Sequence, residues 1–270
     1  MRPVAIPQGE SGRVDVDGGS LEWRWHGPRP GLAPTLVFLH EGLGSAAQWR
    51  DFPERLAAEA GYGALVYSRA GYGRSSPIEE PRPVSFMHAE ATRALPEVLA
   101  RFGVVSPVLF GHSDGASIAL IYAGSGCAPP PRALILEAAH VMVEPICLQS
   151  IRRLAATVGD PVAGAGLRER FARHHDRSEE TMRAWIDVWL RPEFAAWDIQ
   201  SLLPAVVCPV LGIQGKEDAY GTPAQLDLLR SAVAGPVETH LLAACGHAPH
   251  RDRRDDVLSL SKAFLARVTG

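Results

Sequence analysis

The chain has 270 residues, with 27 Lys+Arg against 30 Asp+Glu and a formal charge of −3. So even a balance gives no electrostatic footprint for nucleic acid or an anionic membrane surface, and 46% hydrophobic with 21% charged residues excludes a disordered chain. The longest apolar runs, such as Leu36–Leu39 and Leu134–Leu136, fall far short of the roughly 20 residues a membrane helix needs, so no span is expected.

The stretch Met1–Glu10 has no apolar segment leading to a small-residue cleavage site, which predicts a cytoplasmic protein rather than a secreted one. Cys127, Cys147, Cys208 and Cys245 are irregularly spaced and form no C-x-x-C pair, so they are expected as reduced thiols with no zinc or redox centre.

In chain order, Arg13–Trp25 alternates apolar and polar residues around Asp17-Gly18-Gly19 and predicts a hairpin. Thr35–Leu39 reads as a strand buried on both faces, followed by a Gly-rich turn and one amphipathic stretch, Ala46–Ala60. The rhythm repeats with Ala64–Tyr67 and a helix over Ser85–Phe102, then with Val108–Phe110 and a helix after Ser113, then with Ala133–Leu136. It breaks over residues 141–204, where helical patches are interrupted at Gly159-Asp160-Pro161 and Arg191-Pro192. Strands return at Val210–Ile213 and Thr239–Leu242, with helices around Ala224–Val233 and Asp255–Val268. This order predicts an α/β fold: a mostly parallel eight-stranded sheet, helices on both faces, and a helical insertion after the sixth strand.

The strongest chemical signal is Gly111-His112-Ser113-Asp114-Gly115, a G-x-S-x-G where an apolar strand meets a small-residue helix. A serine at the tip of such a sharp turn is held in strained backbone, and the flanking glycines permit the close packing this needs. A serine hydroxyl is a weak nucleophile without a base that is itself oriented by an acid. Asp218 follows the strand ending at Ile213, and His247 follows the strand ending near Leu242. Both therefore lie at the carboxyl ends of parallel strands, on the side where Ser113 emerges. Glu217 is an alternative to Asp218, and His250 to His247. His40, His112 and His140 also end strands and are candidates for the site wall.

This ordered trio resembles the α/β-hydrolase superfamily over almost the whole chain. The resemblance implies Ser113 as nucleophile, His247 as general base and then acid, and Asp218 as the carboxylate that fixes the imidazole. The turn His40–Ser45 with Trp49 is similar to the family's oxyanion loop, implying oxyanion donors at the Gly42 and Asp114 N–H groups, with Leu43 an alternative to Gly42. Glu41 stands where glycine is usual, and an outward or Arg-paired carboxylate is expected. The loop Arg69–Ser75 lacks the acidic residue that often precedes it and is read as structural.

The resemblance further implies a core of 1–140 and 205–270 with a helical cap over 141–204. Glu41, His140, Trp185 and Trp189 are the expected substrate contacts, although Trp185 and Trp189 with Met182 equally describe a helix packing on the domain below. A G-x-S-D-G element also occurs in biphenyl-hydrolase-like esterases that accept amino-acid esters, so the Asp114 carboxylate is either an attractor for a cationic group or a local hydrogen-bond acceptor. Gly71-x-Gly73, Gly215-Lys216, His174-His175 and His247-x-x-His250 lack the further residues of a dinucleotide, phosphate or metal site, so neither a cofactor nor a metal is implied. The expected activity is serine hydrolysis of an ester on a small-molecule substrate by a monomer or homodimer. A thioester, lactone or carbon–carbon bond uses the same parts, and a non-catalytic ligand-binding protein is the alternative of another class.

Overall fold

The computed structural model describes residues 10–78 and 81–268. Eight strands run Ser11–Val16 (β1), Gly19–His26 (β2), Thr35–Leu39 (β3), Gly63–Tyr67 (β4), Pro107–His112 (β5), Ala133–Glu137 (β6), Val210–Gly215 (β7) and Val237–Leu242 (β8). They form one sheet in the order β1-β2-β4-β3-β5-β6-β7-β8. β1 pairs antiparallel with β2 and β2 antiparallel with β4, and every later pairing is parallel.

Alternate residues of the central strands feed two separate cores, which explains their unbroken apolar runs. Leu109 of β5 faces one core, with Val37, Leu39 and Leu134. Helices Phe86–Ala89 (α2), Leu95–Phe102 (α3) and Asp114–Gly124 (α4) pack there. Its neighbours Val108 and Phe110 face the other core, against Phe52 and Leu56 of a helix at Phe52–Ala60. The C-terminal helix Arg254–Val268 adds Val257, Leu258 and Phe264 to that side. Among the described residues no helix is long and apolar enough to cross a membrane.

Two predicted helices are interrupted. Ala46–Ala60 divides into a 3₁₀ turn, Ala46–Trp49, and the helix beginning at Phe52, because Arg50 adopts φ 55° and Pro53 fits only a helix's first turn. Between α2 and α3 the wide turn Glu90–Ala94 lies immediately ahead of Pro96, whose ring would crowd the carbonyl one α-turn back.

Between β6 and β7 lie helices Pro145–Gly159 (α5), Ala165–Ala172 (α6) and Ser178–Trp189 (α7), followed by two 3₁₀ turns. This segment leaves and rejoins the sheet at one point. Val143 N–H donates to the Trp197 carbonyl at 3.1 Å, and Ile199 N–H to that of Val141 at 2.9 Å. The four cysteines are free thiols.

Candidate active site

Ser113 sits between β5 and α4 at φ 53° and ψ −118°, a conformation that costs a non-glycine residue of order 1–3 kcal/mol and so needs tight support. That support comes from both sides. The Ser113 N–H donates to the Glu137 carbonyl of β6 at 2.9 Å, and α4 packs so close to β3 that a side chain at Gly115 would strike the Leu39 carbonyl.

Three loops then converge. The Ser113 hydroxyl lies 2.9 Å from His247 Nε2, and His247 Nδ1 lies 2.8 and 2.9 Å from the two carboxylate oxygens of Asp218. Asp218 is itself fixed: Gln214 Nε2 donates to it at 2.9 Å and the Tyr220 N–H at 2.8 Å. Burial alone would raise the Asp218 carboxyl, but the His247 hydrogen bond, its charge and the Tyr220 N–H hold it below the ordinary aspartate value. A serine on an imidazole that is held by an ionised carboxylate can have its proton withdrawn as it attacks a carbonyl. Of the sequence alternatives, Glu217 instead accepts the Cys245 N–H at 2.8 Å, and His250 contacts Glu137.

The loop beside Ser113 is held by its own buried polar groups. His40 Nδ1 donates to the Glu41 carbonyl at 2.7 Å and Arg69 Nη2 donates to it at 3.1 Å, while His40 Nε2 accepts the Arg69 N–H. One neutral tautomer satisfies both His40 contacts, and burial together with the Arg69 charge keeps the ring from protonating. The Gly44 N–H closes the turn onto the same carbonyl at 3.1 Å, and the Gly42 N–H has no hydrogen-bond partner among the described residues. In the loop after β4 the missing acidic residue has a substitute from β2. Glu22 accepts from the Ser68 hydroxyl at 2.8 Å and from the Arg74 N–H at 3.0 Å.

The expected substrate contacts divide. Trp185 lies where a side chain on Gly42 would stand, and its Nε1 donates to Asp114 at 3.0 Å. Trp189 is 5.8 Å from Trp185 and 5.4 Å from His140 between ring centres, and His140 is 5.8 Å from His247. These three rings form a chain from the Gly42 loop to His247. Burial pushes His140 down to about 3, so it is neutral at ordinary pH. Glu41 is Arg-paired, as the electrostatic argument expected: its carboxylate is turned toward Arg251 and His112, each at 3.4 Å, rather than into the group of rings around His247. Asp114 is fully buried, with its carboxyl raised by burial against the opposing Arg69 charge. It faces an indole N–H and two guanidiniums, Arg69 and Arg82, which stack on Tyr72 at 5.0 and 4.8 Å. A partner on α7 was not visible in sequence, where only nearby backbone or a cationic substrate suggested itself.

A second acid–imidazole pair, absent from the sequence reading, lies behind the first. Glu137 Oε2 is 2.6 Å from His250 Nδ1, both buried. Ligand-type atoms of these two and of His112 lie within 4.8 Å of one another, but His112 Nε2 and His250 Nδ1 are already spent on hydrogen bonds. Burial pushes Glu137 up to about 8 and His250 down to about 3, which favours the neutral pair, with Glu137 as the donor. Because the folded pKa of Glu137 is raised above its ordinary 4.5, the folded state binds the extra proton between those values and stability falls as pH rises through them. Replacing Glu137 with Gln removes this loss. The melting temperature of Glu137→Gln relative to the parent is expected to climb from pH 5 to 8, by up to about 1 kcal/mol of stability per pH unit, and then level off. A difference independent of pH would show that Glu137 is ionised in the fold.

Residues 36–260 match the family described as Alpha/beta hydrolase family. Among solved structures, the chain is similar to an enol-lactonase from Burkholderia xenovorans LB400, at 20% identity over 94% of this chain and 100% of that one, with a TM-score of 0.73. It is similar to an esterase from Exiguobacterium antarcticum, at 20% identity over 93% and 97% of the two chains, with a TM-score of 0.74. A proline iminopeptidase from Mycobacterium smegmatis is 19% identical over 96% and 98%, with a TM-score of 0.72. Identities of this size carry the fold and leave the substrate to be argued from the site.

Proposed function

The chain belongs to the alpha/beta hydrolase family, and from that premise we propose that it is a serine hydrolase cleaving a small to medium carboxylic ester through an acyl-enzyme. The observation that carries this reading is the unbroken chain of hydrogen bonds Ser113–His247–Asp218 on three separate loops. In this reading His247 takes the Ser113 proton as the hydroxyl oxygen attacks the ester carbonyl. The free N–H of Gly42 and that of Asp114 at the start of α4 donate to the oxyanion, each worth about 10²–10³ in rate. The alcohol leaves with the proton from His247, and a water activated by the same imidazole releases the acid.

In this reading the described residues within 1–140 and 205–270 form the core and 141–204 the cap. Trp185 stands against both oxyanion donors, Gly42 and Asp114, and so limits the acyl group, while His140 and Trp189 bound the other side. The test is kcat/KM over p-nitrophenyl esters of increasing acyl length. Acetate and butyrate are expected to exceed laurate, and Trp185→Ala to narrow that gap about tenfold or more, the scale of a few methylenes in a pocket. A preference for long chains in the parent would place the acyl group elsewhere, and absence of turnover on every ester of the series would remove the ester assignment.

A further inference from the structure

Glu41, where glycine is usual in the resembling family, sits in a closed ring of contacts that joins its own loop to the strand end before Ser113 and to the loop that carries His247. His112, the residue before Ser113, lies with Nε2 2.6 Å from the His247 carbonyl oxygen. That oxygen can only accept, so Nε2 bears a proton and donates it. At the other end of the ring, His112 Nδ1 is 3.4 Å from Glu41 Oε2, a contact that is attractive when Nδ1 also bears a proton. The second Glu41 oxygen is 3.4 Å from Arg251 Nη2, which also donates to the Gln48 carbonyl at 3.2 Å. Arg251 lies in the short helix Pro249–Asp252, four residues after His247, and its own N–H bonds the Ala248 carbonyl. The ring therefore runs from the His247 carbonyl through His112 and Glu41 to Arg251 and back along the main chain.

Space for it is built in. The Glu41 carboxylate folds over Gly44 and occupies the position a side chain there would take. His112 is 2% exposed and the Glu41 side chain 17%, so that contact is sheltered from water, while Arg251 on the outer side is 37% exposed. The Glu41 carboxyl is held well below its ordinary value: burial opposes this, and the neighbouring His112 and Arg251 outweigh it.

We propose that Glu41, His112 and Arg251 form a brace that sets the position of His247 against Ser113, making Glu41 and His112 positioning residues for the reaction. The inference rests on the serine-hydrolase reading above. The brace acts on His247 through its main-chain carbonyl, while Asp218 holds the same residue through Nδ1, so backbone and ring are each tied down. It also ties that loop to the segment bearing Gly42, so proton acceptor and oxyanion donor keep a common register.

The test uses four variants of the full chain. Glu41→Gly removes both side-chain links and installs the residue usual in the family, which the fold accommodates, whereas Glu41→Gln keeps the shape. His112→Phe removes the donor, whereas His112→Gln keeps an N–H within reach of the His247 carbonyl. With p-nitrophenyl acetate, Glu41→Gly and His112→Phe are expected to lose about 10- to 100-fold in kcat with KM within about twofold, the scale of a small misplacement of a reacting group. The rate of fluorophosphonate labelling of Ser113 should fall in parallel, and the two Gln variants should recover most of both losses. Wild-type kcat in Glu41→Gly and His112→Phe overturns the proposal. So does a loss that merely follows the unfolded fraction seen by circular dichroism, or Gln variants as impaired as the disruptive ones. Ser113→Ala run alongside separates the two levels: if it keeps turnover, the serine-hydrolase reading fails and the brace with it, and if it alone is inactive, only the brace fails.

Discussion

Ser113→Ala is expected to lower kcat on p-nitrophenyl acetate by about 10⁴-fold or more while leaving the melting temperature at or above that of the parent. The size follows from what the hydroxyl does. In the proposed mechanism the acyl group then has no covalent acceptor, and the residual rate is that of water with the proposed oxyanion donors alone. Stability is expected to hold or rise for two reasons. The Ser113 oxygen makes a single side-chain contact, to His247, and the strain at φ 53° is unchanged in sign for alanine but no longer combined with a desolvated hydroxyl. Turnover and melting temperature measured on one preparation distinguish lost chemistry from lost folding. A variant that is folded and within tenfold of the parent would exclude Ser113 as the nucleophile.

Asp218→Asn carries the second large effect, a loss of about 10⁴ in kcat, because the amide cannot hold the imidazole as the carboxylate does. The carboxylate accepts from Gln214 and from the Tyr220 N–H as well as from His247 Nδ1. An Asn in its place has one acceptor oxygen for three donors, and its NH₂ turned toward Nδ1 selects the tautomer with the proton on Nε2, where Ser113 needs an acceptor. Glu217→Gln, one residue away, is expected to keep kcat within about threefold, since Glu217 bonds main-chain N–H groups around Cys245 rather than the imidazole. Comparable losses in both variants would mean that the turn, rather than the Asp218 carboxylate, is what matters.

Much of this was legible in the linear sequence, for identifiable reasons. Strands buried on both faces read as unbroken apolar runs, so β3, β5, β6 and β7 stand out, and the G-x-S-x-G marks its own strand-to-helix turn. Asp218 and His247 follow because the fold places chemistry at the carboxyl ends of strands, in order. What sequence could not show is which distant polar groups meet. Glu22 serves the Ser68–Arg74 loop from 46 residues before Ser68, and Glu41 finds Arg251 210 residues away. The pair Glu137–His250 spans 113 residues and has no local pattern, since a glutamate ending a strand looks like any other. The expectation of an Arg partner for Glu41 was the nearest approach, and it came from electrostatics: a carboxylate pointed at a developing oxyanion would oppose it. The same Glu41 was nonetheless expected at the substrate, because nothing in the sequence marks the space above Gly44 that lets its side chain fold away from the site.

The most direct single measurement is intact-mass analysis of the purified chain after fluorophosphonate treatment, followed by digestion to locate the adduct. One adduct per chain, on the peptide carrying Gly111–Gly115 and absent from Ser113→Ala, is the expected result. No adduct on folded protein, or an adduct on another residue that persists in Ser113→Ala, would contradict an activated serine at the β5–α4 turn.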